Sequence, residues 1–128
     1  MQKIYIVRLT NEVGDTLVVE LCSAFLKERR GKVTSTQWDN DRSIVDVLVS
    51  LYGGTDVGAF DINCLRTVRD EFIQKRYVRK KINWRVRIVQ FIFRWGVSYK
   101  IVPASVYHEL KTLYSSRLEV PFNSFHRV

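Results

Sequence analysis

The feature that most limits how this chain can fold is the stretch 79–99, RKKINWRVRIVQFIFRWGVSY. Set on a helix with Ile82 at the origin and about 100° per residue, Ile82, Val86, Val89, Phe93, Gly96 and Val97 fall within about 60° of one another's mean direction. Asn83, Arg87, Gln90, Arg94 and Ser98 form a narrow polar strip beside them. Trp84, Ile88, Phe91, Ile92, Trp95 and Tyr99 fill a second apolar face, and Arg85 is the one charge on the apolar sides. A helix that is apolar on two sides needs neighbours on both. It is therefore expected at the centre of a helical bundle. Its wide apolar surface would also suit a protein partner.

The flanking sequence supplies those neighbours. Leu17, Leu21, Ala24 and Phe25 recur at helical spacing. Asp15 or Thr16 is the expected N-cap, the cationic end 27–30 lies where the helix dipole favours it, and Gly31 closes the helix. A second helix is expected to begin between Ser35 and Asp41, to bury Ile44, Val47, Leu48 and Leu51, and to stop at Gly53-Gly54. Asp61 caps a third, running to about Lys75, with Leu65, Val68, Phe72 and Ile73 inward. Tyr77-Val78 makes a short turn into the long helix, and Pro103 opens a last helix with Val106, Tyr107, Leu110 and Leu113. Residues 3–9, KIYIVRL, read either as a short strand or as an irregular lead-in. The expected fold class is all-α: a compact bundle of four helices plus a short fifth, with that strand as an uncertain addition. The expected organisation is a lead-in (1–14), one helical domain (15–115) and a tail (116–128).

At 128 residues the chain suits a single domain. No apolar run approaches the roughly 20 residues of a membrane span, and the first residues carry no signal-peptide block. Cys22 and Cys64 lie in helical patterns and read as buried free thiols of a reducing cytoplasm. The net charge of +8 is unevenly spread. Residues 66–94 hold ten basic and two acidic side chains, while the remainder holds eleven of each. All the excess lies in one stretch, as a polyanion-binding surface would have it.

Two segments, DINCLRTVRDEFIQKR and VRKKINWRVRIVQFIFRWGVSYKIVPASVYHEL, resemble the core-binding domain of the tyrosine recombinases, the phage integrase family. The matching positions are Asn83, Phe93, Trp95, Gly96, Val97, Val102, Pro103, Val106, Tyr107 and Leu110. Gly96 stands where the family usually has alanine, and Ile88 and Phe91 where it usually has polar residues. The resemblance implies a SAM-like helical bundle that forms one jaw of a clamp on duplex DNA, with its second and fourth long helices at the major groove. Catalysis would belong to a separate domain with an arginine pair, a His-x-x-Arg motif and a tyrosine nucleophile. None of that set is found here, so the chain is expected to be non-catalytic by itself.

On this reading Arg79, Lys80 and Lys81 would meet phosphates at the start of the long helix, where backbone amides also point outward. Arg87 and Arg94 would continue that contact. Asn83 and Gln90 are the residue types that read adenine, although Asn83 could equally brace a turn. At the entry of the second helix Ser35, Thr36 and Gln37 would bond phosphate or base, or else cap the helix. Arg42 and Lys32 could reach the same backbone. The expected partners are duplex DNA, with a catalytic recombinase domain or sister copies. No membrane, metal, cofactor or small-molecule substrate is expected, and the setting would be a bacterial or phage-derived cytoplasm close to the nucleoid. Tyr77 and Tyr107 lack the partners that activate a nucleophile. Two rivals stand beside this reading. One is a protein-interaction or self-association module using Trp84, Ile88, Phe91 and Trp95. The other is a small helix-turn-helix regulator built on the Tyr77 turn.

Overall fold

The computed structural model describes residues 16–113 as a compact helical bundle, with helices α1 (Val18–Arg29), α2 (Ser35–Tyr52), α3 (Ile62–Gln74), α4 (Arg79–Ser98) and α5 (Ala104–Leu110). A short 3-10 turn, Val57–Ala59, lies between α2 and α3. The strand read at 3–9 and the tail 116–128 lie outside the described residues. Within these, the only β-type pairing is a single bridge between Leu17 and Asp56.

The helices follow from their apolar spacing, except that Leu51, expected inward, is 38% exposed near the end of α2, where Val45 is buried instead. Val18, Leu21, Cys22 and Phe25 bury one face of α1, and Ile44, Val45 and Leu48 one face of α2. Leu65, Val68 and Phe72 do the same for α3. As its two-sided pattern predicts, α4 touches all four other helices. Its first stripe is buried at Ile82, Val86, Val89, Phe93 and Gly96, while Ile92 is buried from the second face. Phe60, from the loop after α2, stacks on Phe93 with ring centroids 4.6 Å apart.

The helix ends show how local chemistry and tertiary contacts share the work. Asp61 caps α3 by accepting from the Cys64 amide at 3.0 Å, and Thr34 caps α2 by accepting from the Gln37 amide at 3.1 Å. The start of α1 differs from the expected Asp15 or Thr16 cap. Leu17 is the N-cap; its amide donates to Glu20 Oε1 at 2.8 Å. The amides of Val18 and Val19 donate to the carbonyls of Thr55 and Gly53 at 2.8 and 3.0 Å. Distant backbone carbonyls thus take the place of a side-chain cap. Gly31 follows α1 at φ +77°, as a closing glycine should. Arg76 and Lys100 hold the corresponding left-handed positions after α3 and α4, at φ +64° and +60°.

Gly96 marks the tightest approach in the bundle. A Cβ placed there would lie 2.6 Å from Val102 Cγ2 and 2.8 Å from Leu21 Cδ1. Its carbonyl also accepts from the Ile101 and Val102 amides at 2.8 and 3.2 Å. Both cysteines are free. Cys22 is buried as expected, but Cys64 is only half-buried, because its place in the first turn of α3 leaves it near the helix end.

Candidate nucleic-acid interface

The outer strip of α4 is cationic. Lys80, Arg87 and Arg94 are exposed and recur every seven residues, so they share one face and follow one another at about 10 Å along the axis. Among the described residues none of the three makes an ion pair. The first turn of α4 has no acidic residue and no side-chain cap. Lys81 is exposed, whereas Arg79 is half-buried and engaged within the fold.

The polar members of the expected set divide. Gln90 Nε2 donates to the Leu110 carbonyl at 2.9 Å, so this side chain ties α4 to the end of α5. Asn83 is half-buried, and its Oδ1 is buried with no hydrogen-bond partner. At the start of α2, Ser35, Thr36 and Arg42 are exposed. Gln37 Nε2 is held by Asp41 Oδ1 at 2.8 Å. Lys32 pairs with Glu28 at 3.1 Å on the surface. The fold therefore gathers Lys80, Lys81, Arg87 and Arg94 along one helix. Among the described residues no hydrogen bond links Ser35, Thr36 or Arg42 to that row.

One cluster was not anticipated. The ring of Tyr77, just before α4, lies 4.6 Å from Lys81 Nζ and 4.5 Å from Arg85 Cζ. Arg85 is only 3% exposed. It also lies over Phe72 at 5.6 Å and donates from Nη1 to Ser43 Oγ at 3.3 Å, while its Nε has no partner. The regular spacing of Tyr77, Lys81 and Arg85, one turn apart, was the signal in the sequence.

The second apolar face of α4 packs largely on α1. Phe25 meets Phe91 and Trp95 edge-on, at 5.9 and 5.6 Å between centroids. The Arg29 guanidinium lies 5.1 Å from the Phe25 ring and 5.7 Å from the Phe91 ring. Trp84, Ile88, Phe91 and Trp95 are half-buried. At the far end Trp95 stacks on Tyr99 at 4.6 Å, and Tyr99 remains 55% exposed. It is among the few large apolar side chains on the described surface.

Reactive groupings are sparse. Among the described residues no three His, Cys, Asp or Glu side chains come together to hold a metal ion. No helix among them is long and apolar enough to cross a membrane. Two open depressions, of about 270 and 340 Å³, are lined by Asp46, Glu71 and Lys75 in one case and by Ser23, Lys27 and Arg30 in the other. Ser50 also lines the first, and in the second Ser23 stands one helical turn from Lys27. No protein-family model matches the chain, and neither the curated proteins nor the solved structures give a match.

Proposed function

We propose that the chain is a non-catalytic helical binding module organised around α4, whose cationic strip grips duplex DNA. On this reading it is the core-binding module, SAM-like in fold, of an integrase-like tyrosine recombinase acting in site-specific DNA recombination. The observation that carries the proposal is the row Lys80, Arg87 and Arg94, exposed on one face of one helix and, among the described residues, without ion pairs. Neutralising phosphates with such side chains releases counterions, the main source of affinity for a duplex. Sequence reading by bases would fall to fewer residues than the polar strip offers, since Gln90 and Gln37 are bonded internally. The four-residue connection between α3 and α4 also suits a helix-turn-helix arrangement of the same helix.

A second reading is favoured by the aromatic end of α4. Phe91, Trp95 and Tyr99 offer a contiguous aromatic surface suited to a protein partner or a second copy of the chain. The structure's own geometry favours this second reading, whereas the DNA reading rests on charge and on a sequence resemblance to which the comparisons add nothing.

A mobility shift separates the two. Duplex DNA should be retarded by the parent, and less so by an Arg79/Lys80/Lys81 charge-reversed variant. Apparent affinity should fall with a slope of about 0.9 in log–log salt for each phosphate neutralised. Absence of a shift in the parent, or equal shifts in both proteins, would overturn the DNA reading. Salt-insensitive self-association lost on Tyr99→Ser would favour the protein-contact reading.

A further inference from the structure

Two cations share the ring of Tyr77, and among the described residues neither meets a carboxylate. Arg85 is nearly sealed inside the bundle between Tyr77, Phe72 and Ser43, with its Nε unpartnered. Lys81 is exposed on the other side of the arrangement. Tyr77 reaches this position because Arg76 turns the chain at φ +64°, a left-handed backbone state unfavourable to a non-glycine residue. The fold accepts that strain, and it sets Lys81 in the first turn of a helix whose own dipole already disfavours cations there. A structure that only needed a turn would do better with glycine at 76 and an acidic or hydroxyl side chain in the first turn.

We propose that Tyr77 is a positioning residue for anion binding at the start of α4. Its ring fixes the Lys81 ammonium at the helix mouth, and the buried Arg85 guanidinium fixes the ring in turn. Lys81 is thereby held where a backbone phosphate of the duplex would sit, rather than sweeping through solvent. This inference rests on the DNA reading and adds to it the residue that orders one of its contacts. The cation–π contact supplies the ordering, since a Lys ammonium over a tyrosine face is attracted by the ring quadrupole.

The test compares Tyr77→Phe, which keeps the ring, with Tyr77→Leu, which keeps apolar bulk without it. Both are measured in the parent and Lys81→Gln backgrounds. Binding to a fluorescent duplex is followed across a salt series, with circular dichroism melting on the same samples. Tyr77→Phe should bind like the parent. Tyr77→Leu should bind about two- to fivefold more weakly, the worth of one cation–π contact, with a salt slope shallower by as much as 0.9. In the Lys81→Gln background the Leu variant should lose nothing more. Equal binding and equal slopes for Phe and Leu, while the parent binds DNA, would overturn the positioning role and leave the DNA reading standing. A Leu deficit that persists in full without Lys81 would show a packing effect and overturn it as well. No salt-dependent binding by the parent would remove the DNA reading and this inference together.

Discussion

Arg29 donates two hydrogen bonds to a single oxygen of Asp41, from Nε at 3.1 Å and from Nη2 at 2.9 Å. The Asp41 side chain is fully buried, its other oxygen accepts from Gln37, and Arg29 extends over the rings of Phe25 and Phe91. One ion pair thus joins α1, the start of α2 and the aromatic face of α4. Removing one partner of a buried pair leaves the other charge uncompensated, a loss of about 3–5 kcal/mol. Asp41→Ala should lower the unfolding free energy read from urea denaturation by an amount near the bottom of that range, because Arg29 keeps some contact with water. A loss well below 1 kcal/mol would mean that the pair contributes little.

Gly96 offers a test in which helix propensity and packing point in opposite directions. Alanine would favour an isolated helix by about 1 kcal/mol. Here its methyl group would press on Leu21 and on the stiff Val102 side chain. Overpacking of this kind costs about 1–3 kcal/mol. Gly96→Ala should therefore lower the melting temperature, and a rise would show that the two side chains yield freely.

The cations and the glutamine on the strip of α4 should behave differently. On the proposed DNA reading, Lys80→Gln, Arg87→Gln and Arg94→Gln should each make the salt dependence of duplex binding shallower, by about 0.9 per phosphate contact removed, with little change in melting. Gln90→Ala should instead weaken the bond to the Leu110 carbonyl and reduce stability by about 1 kcal/mol. The paired measurements of melting and salt slope distinguish the two kinds of residue.

The thiols give a pH-dependent prediction. Burial pushes Cys22 from its ordinary value of 9.0 up to about 12, and burial also raises Cys64. Above pH 9 the unfolded chain releases the Cys22 proton while the folded chain retains it. Stability from this group is therefore full below about pH 9 and declines as the pH rises towards 12. At pH 8 an aromatic disulfide reagent should modify Cys64 slowly and Cys22 only on unfolding. Prompt labelling of two thiols in the native protein would contradict the burial of Cys22.

Asp61 acts in the opposite pH direction. The Cys64 amide donates to its carboxylate and lowers its pKa below the usual 3.8. Its capping contribution is present above that ordinary value and is lost as the pH falls through the lowered one. Asp61→Ala should cost about 1 kcal/mol near neutrality. The denaturation midpoints of parent and variant should converge in acid.

Much of this architecture could be read from local pattern. The two apolar sides of 79–99 placed α4 at the centre, and Asp61, Gly31 and Pro103 marked helix ends because their chemistry acts over a few residues. What escaped depends on groups far apart in sequence. The start of α1 is closed by carbonyls from 53 and 55, which no cap rule anticipates. Gln90 and Gln37 looked available because a polar side chain on a wet strip carries no mark of the Leu110 carbonyl or the Asp41 carboxylate that holds it. Gly96 read only as a departure from the alanine usual at that position of the family it resembles, whereas the fold uses it for close approach. The bundle itself was legible; which polar side chains of the strip are bonded within the fold was not, because that turns on groups distant in sequence.

The closure of α1 by the Gly53 and Thr55 carbonyls makes that helix depend on a distant part of the chain. Among the described helices α1 comes first, and its first turn is finished by carbonyls some 35 residues further along the chain. Closing a loop of that length costs entropy before any contact repays it. The first turn of α1 is therefore tied to the loop after α2, and a change that displaces that loop would reach Phe25 and the aromatic flank it covers.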